Sequence, residues 1–134
     1  GANGDNMMTP YKPESYNSIS PYLVVEGAKA TIDFLVRTFD AVALRRHDGE
    51  DDSIMHAEVR IDDSVVMLSD GSPNFPAVAS HVHLYVPDVD ATYRRALAAG
   101  AESIQEPMQR GDADKRGGVR DAGGTTWWIA TQQS

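Results

Sequence analysis

The chain has no cysteine among its 134 residues. That excludes a disulfide framework, a thiolate nucleophile and a Cys-based zinc site. Positive charge is scarce as well: 12 Lys and Arg stand against 20 Asp and Glu, a formal net charge of -8. With no basic face to offset phosphate repulsion, nucleic acid is not expected as a partner. No apolar run approaches the roughly 18 residues that a membrane span needs, so no membrane association is expected. With the missing cysteines, this points to a cytoplasmic protein. There is no G-x-S-x-G, P-loop or G-x-G-x-x-G signature, which leaves hydrolase and nucleotide chemistry without support. Gly117-Gly118 and Gly123-Gly124 read as turn glycines. Aromatic residues make up only 7% of the chain, yet two tryptophans are adjacent in the short run DAGGTTWWIAT, Asp121 to Thr131.

A length of 134 residues fits one compact domain that can bury a core without metal or disulfide staples. Residues 1–17, with Pro10 and Pro13, read as a flexible N-terminal tail. From Ser18 the pattern becomes regular. SISPYLVV is a β-rich run, and in AKATIDFLVRTF the residues Ala28, Ile32, Leu35, Val36 and Phe39 recur at helical spacing. SHVHLYV then repeats the strand, Asp88 supplies a cap, and VDATYRRALAA repeats the helix, stopped at Gly100. Leu23 falls on Leu84 at an offset of 61 (84 - 23), and SVVMLS at Ser64 falls on TTWWIA at Thr125 at the same offset. Short strands near Val42 to Arg46, Ile54 to Ile61, Ser103 to Gln105 and Gly117 to Arg120 complete two βαβββ modules, about 18–70 and 80–131. Neither module has much core of its own, so the two are expected to share one apolar layer.

Parity then assigns faces, because successive strand residues point to opposite sides and an amphipathic helix covers one side of its sheet. Ile19, Leu23, Val25, Met55, Ala57, Val59, Ile61, Val66, Leu68, Val82, Leu84, Val86, Trp127 and Ile129 are predicted beneath the helices. The opposite face collects Tyr22, His56, Glu58, Met67, His81, His83, Tyr85 and Trp128, a mixture typical of a concave small-molecule site. Trp127 is thus the core indole and Trp128 the site indole.

A duplicated chain with PYLVVEGAKATIDFLVRTF, HAEVRIDDSVVMLSD, HLYVPDVDATYRRALAAGA and KRGGVRDAGGTTWWIAT resembles the vicinal oxygen chelate superfamily. Within it, the sequence is similar to the glyoxalase/bleomycin resistance group in its PhnB-like branch. The resemblance implies an α+β fold in which two βαβββ modules form a curved, eight-stranded, cup-like sheet, usually in a homodimer. Metal-dependent members carry four cup-lining His or Glu ligands, and the matching positions here are Ser20, Met67, His81 and Trp128. Only His81 is a usable ligand among them, so no metal and no cofactor is expected. The branch's Asp-Pro-Phe-Gly-His turn is also replaced, by Asp121-Ala122-Gly123-Gly124-Thr125.

Non-metal members of the group sequester drugs in aromatic-lined clefts. The resemblance therefore implies a non-catalytic homodimer that binds a small aromatic compound, of antibiotic-resistance type. Its site residues would be Trp128, Met67, Tyr22, Tyr85, His81, His83, His56 and Glu58. No catalytic residue is assigned. Two other readings stay open: a metal-dependent lyase, isomerase or dioxygenase using a relocated His56, Glu58, His81 and His83 set, and a vestigial cup serving dimerisation. The stretch QEPMQRGDADKRGG, with Arg110, Lys115 and Arg116, reads as a long loop that is either solvated or a lid, and GSPNFPAVA as the linker between modules.

Overall fold

The computed structural model describes residues 9–134. The first eight residues of the expected tail lie outside that range. The elements run β1 (Tyr22–Val25), α1 (Ala28–Phe39), β2 (Val42–Asp48), β3 (Ile54–Ile61), β4 (Ser64–Asp70), β5 (Ser80–Tyr85), α2 (Val89–Ala98), β6 (Glu102–Gln109), β7 (Asp114–Arg120) and β8 (Thr125–Gln132). The architecture is α+β, two βαβββ modules in tandem. The eight strands make two four-stranded sheets, ordered β1-β4-β3-β2 and β5-β8-β7-β6, with β1 and β5 each an edge strand. Neither helix is long and apolar enough to cross a membrane.

The duplication holds at the level of register. In the first sheet Tyr22 pairs with Met67, and Glu58 with Met67 from the other side; in the second, His83 and Gly118 flank Trp128 in the same way. Both helices put their apolar faces on one continuous core that includes Leu23, Val25, Leu35, Phe39, Val59, Leu68, Ala96, Val119, Trp127 and Ile129. Trp127 is fully buried, its ring centroid 5.5 Å from that of Phe39, and its Nε1–H donates to Asp121 at 2.9 Å. The single core thus belongs to both modules. Asp88 caps α2 as expected, accepting from the Ala91 backbone N–H at 3.1 Å.

Four expectations are corrected. Met55 is not under the helices but 68% exposed. His47 pairs with His56 and Asp48 with Ile54, so Met55 is the extra residue of a β-bulge, and Ile54 takes the buried place instead. Ile19 is 85% exposed, because it precedes β1 rather than belonging to it. The stretch from Gln105 to Gly118 is neither lid nor loop. β6 and β7 extend through it as a hairpin, tied by Gln105 Nε2 donating to the Arg116 carbonyl, and Pro107 is tolerated because β6 is an edge strand with bulged pairing. Lastly, Gly117-Gly118 is not a turn. Both glycines are buried in β7, where their missing side chains make room for neighbours.

Candidate functional site

The sheet faces opposite the helices carry all eight expected site residues, and the structure sorts them into two groups, one per sheet. On the first sheet Tyr22, His56, Glu58 and Met67 lie together. The Tyr22 hydroxyl is 3.0 Å from His56 Nδ1, and His56 Nε2 is 2.8 Å from Glu58 Oε2. The other carboxylate oxygen of Glu58 accepts from the hydroxyl of Tyr16, with Arg45 Nε 3.8 Å away. Glu58 is only 4% exposed. Burial alone disfavours its charge, but the hydrogen bonds from His56 and Tyr16 and the nearby Arg45 outweigh that and hold its carboxyl below the usual range.

Beside this chain of hydrogen bonds lies a cleft of about 550 Å³ walled by Tyr22, Val24, Met55 and Phe75, with Ser69 and Asp70 at its polar side. Met55 and Phe75, 68% and 71% exposed, are wall residues that the sequence pattern missed. The bulge turns Met55 to this side. Phe75 is delivered by the intermodule linker, whose Gly71 and Val78 amides donate to the Val25 and Val24 carbonyls.

On the second sheet are His81, His83, Tyr85 and Trp128. Trp128 Nε1 donates to His81 Nδ1 at 3.1 Å, with the two rings nearly parallel at 6° and centroids 6.2 Å apart. The indole lies over Gly118: a β-carbon there would stand 2.6 Å from Cζ3 and 2.8 Å from Cε3. Arg116 Nε donates to His83 Nε2 at 3.0 Å, so His83 is neutral with its proton on Nδ1. Burial and the adjacent guanidinium both push the His83 imidazole down. Asp114 accepts from the Tyr85 hydroxyl at 2.7 Å and from Arg116 at 2.9 Å, and its hydrogen bond pushes the Tyr85 phenol up. Arg116, expected in a loop, is the side chain that organises this half.

The halves are chemical variants of one plan. At an offset of 60, His56 corresponds to Arg116 and Glu58 to Gly118, and at 61 Tyr22 corresponds to His83 and Met67 to Trp128. In each half the first strand's side chain hydrogen-bonds to the third strand's. The third strand's next open-face position then differs: the buried Glu58 carboxylate accepts from the Tyr16 hydroxyl in one half, and the bare backbone of Gly118 lies under the ring of Trp128 in the other. Gly118→Ala is expected to swing the indole off its seat. We expect about 1–3 kcal/mol of lost stability and a changed Trp emission maximum; an unchanged spectrum would show that the glycine does not set the ring.

The relocated metal set is not assembled within the chain, since His56 and Glu58 belong to one sheet and His81 and His83 to the other. Among the described residues, no group of three or more His, Asp or Glu side chains could hold a metal ion. The positions Ser20, Met67, His81 and Trp128 do not fit a divalent ion either, because hydroxyl, thioether and indole supply too few N or O donors.

Comparison with known proteins places this arrangement. The family model described as Glyoxalase/Bleomycin resistance protein/Dioxygenase superfamily matches residues 16–129. An uncharacterized protein of Mycobacterium tuberculosis (strain ATCC 25618 / H37Rv) is 38% identical over 135 residues, covering 92% of this chain and 77% of the relative. The crystal structure of TioX from Micromonospora sp. ML1 superposes with a TM-score of 0.74 at 25% identity, covering 87% of this chain and 98% of that one. The structure of TnmS3, described as an antibiotic binding protein from Streptomyces sp. CB03234, superposes with a TM-score of 0.68 at 18% identity, over 94% and 100% of the two chains. With most of its length matched by the family model and its two βαβββ modules in place, the chain belongs to the glyoxalase/bleomycin resistance protein/dioxygenase superfamily.

Proposed function

We propose that this protein binds a planar aromatic compound and holds it without chemical change, using the sheet faces that the helices leave open. The observation that carries the reading is the cleft of about 550 Å³ walled by Tyr22, Met55 and Phe75, large side chains that are 49%, 68% and 71% exposed and leave ring and thioether surface open to solvent. Such a wall recognises ring surface rather than a reacting group. Trp128, with the His81 ring nearly parallel and hydrogen-bonded to its Nε1, offers a second ring platform on the other sheet.

Two copies of the chain would complete the site, the first-module face of one protomer against the second-module face of its partner. Met67, Tyr85, His83, His56 and Glu58 then line or orient the bound compound. Residues 18–131 form the binding domain. The likeness in fold to TnmS3, an antibiotic binding protein, supports an antibiotic-type ligand.

The test is a fluorescence titration with acridine, a planar ring system without a hydroxyl. Trp127 is fully buried and Trp128 is partly open, so quenching reports on Trp128. Saturable quenching is expected, with affinity weakened roughly tenfold or more in Trp128→Ala. Emission unchanged at high acridine, or full affinity retained by the variant in calorimetry, would remove the reading.

A further inference from the structure

The side chain of Tyr16 shows what the first half-site accepts. It comes from outside both modules, in the segment before β1, and reaches across the sheet face to Glu58. Two guanidinium groups lie near its ring, Arg45 at 5.4 Å and Arg60 at 6.0 Å from the ring centroid. Arg60 also donates to the Ser15 carbonyl at 2.6 Å, and Asn17 reaches the Asp63 carbonyl, so Tyr16 is held by the residues on either side of it. Ser15 has a left-handed backbone, φ 68, unusual for a residue with a β-carbon. This short strap places a phenol on a buried carboxylate.

We infer that the first half-site is a subsite for a neutral hydroxyaromatic ring, a phenol or naphthol type of group, and that Tyr16 occupies it as a built-in competitor. The inference rests on the aromatic-binding reading above and names the ligand's chemistry. Three features select that chemistry. With Oε2 of Glu58 bonded to His56 and Arg45 Nε standing 3.8 Å from Oε1, beyond hydrogen-bond reach, departure of Tyr16 leaves Oε1 open to an O–H or N–H donor from a ligand. Arg45 and Arg60 repel a cationic ring but attract the face of a neutral one. Tyr22 and the cleft with Met55 and Phe75 lie next to His56 on the same face and leave room for the rest of a fused-ring compound.

A tethered competitor lowers apparent affinity by the fraction of molecules in which it is docked. Removing it should therefore tighten binding of the free phenol and do little for an ether that cannot donate. The experiment is calorimetry on the full chain with 2-naphthol and with 2-methoxynaphthalene, comparing the protein with Tyr16→Ala, Tyr16→Phe and Tyr16→Ala combined with Glu58→Gln.

Tyr16→Ala is expected to bind 2-naphthol about fivefold or more tighter than the unaltered chain, with Tyr16→Phe between the two. The methoxy compound should gain less than about twofold. The double variant should lose the preference for naphthol over its ether. Naphthol bound no more tightly by Tyr16→Ala, or an equal gain for the ether, overturns the inference. If acridine still quenches Trp128 under those circumstances, the general aromatic reading survives. If acridine and both naphthalenes fail to bind any variant, both readings fall together. Circular dichroism of each variant ensures that only folded protein is scored.

Discussion

Trp127→Ala should lower the unfolding free energy by about 3–5 kcal/mol, the range for truncating a large aromatic in a packed core. In guanidinium denaturation followed by far-ultraviolet circular dichroism, the midpoint should fall well below that of the unaltered chain. The size of the effect follows from three losses at one position. The indole is fully buried, it packs on Phe39 from the first module, and its N–H is the partner of Asp121, itself only 5% exposed. Truncation opens a cavity in the shared core and leaves a buried carboxylate short of a donor. Trp127→Phe keeps much of the volume and loses the N–H, so about 1–3 kcal/mol is expected there. Trp128→Ala is the contrast: one residue along the same strand, on the open face, it should cost less than about 1.5 kcal/mol. Equal costs for the two alanine variants would refute the face assignment on which the site rests.

That assignment was legible because it depends on alternation within single strands. Leu23, Val25, Val59, Leu68, Trp127 and Ile129 obey the parity of their own strand and are buried. The duplication was legible too, since matching residues at a fixed offset survive whatever the strands do in space. What was hidden depends on pairing between segments. The bulge that expels Met55 is a count of residues on two strands, His47 and Asp48 against His56 and Ile54, and β3 alone carries no sign of it. β6 and β7 look irregular in sequence because bulges interrupt alternation around Ile104 and Pro107, though the two strands still pair from Glu102 to Gln109. Gly118 reads as a turn residue until the indole lying on it explains the missing side chain. Tyr16 lay in a stretch read as tail, and its partner Glu58 is 42 residues away (58 - 16). The eight candidate residues lie on the faces that strand parity predicts. Their division between two sheets follows from β1 and β5 both being edge strands, which no periodicity reports.

Asp70→Ala is expected to cost about 2–4 kcal/mol, the second large effect, although Asp70 is not a core residue. The reason lies at the start of α1. Its N-cap is Gly27, at φ 80, which has no side chain to accept from the first-turn amides. Asp70 at the end of β4 does so from across the chain: Oδ1 accepts from the Gly27 and Ala28 N–H groups, each at 2.9 Å, and Oδ2 accepts from the Ile54 N–H at 2.7 Å. One carboxylate thus ties β4, the N-terminus of α1 and the first residue of β3, where the Met55 bulge begins. Burial alone would raise its pKa, but the three backbone donors outweigh that, and the carboxyl lies below its ordinary value. The sign of the pH effect follows. A depressed folded-state pKa means that the unfolded chain takes up the proton first, so the contribution is complete above the unfolded value of about 3.9 and is lost as pH falls through the lower folded value. Asp70→Asn keeps one acceptor oxygen and cannot titrate, so it should recover roughly half of the loss. Its stability gap to the unaltered chain should be full at pH 7 and narrow below about pH 4. Denaturant melts of the three proteins at pH 7 and pH 3.5 decide the matter: a gap that stays constant, or an alanine variant within about 0.5 kcal/mol at pH 7, would mean that α1 is capped without Asp70. Loss of the tie should also loosen Ile54 and Met55, and with them one wall of the cleft. Acridine affinity in Asp70→Asn is therefore expected to fall even where the protein remains fully folded.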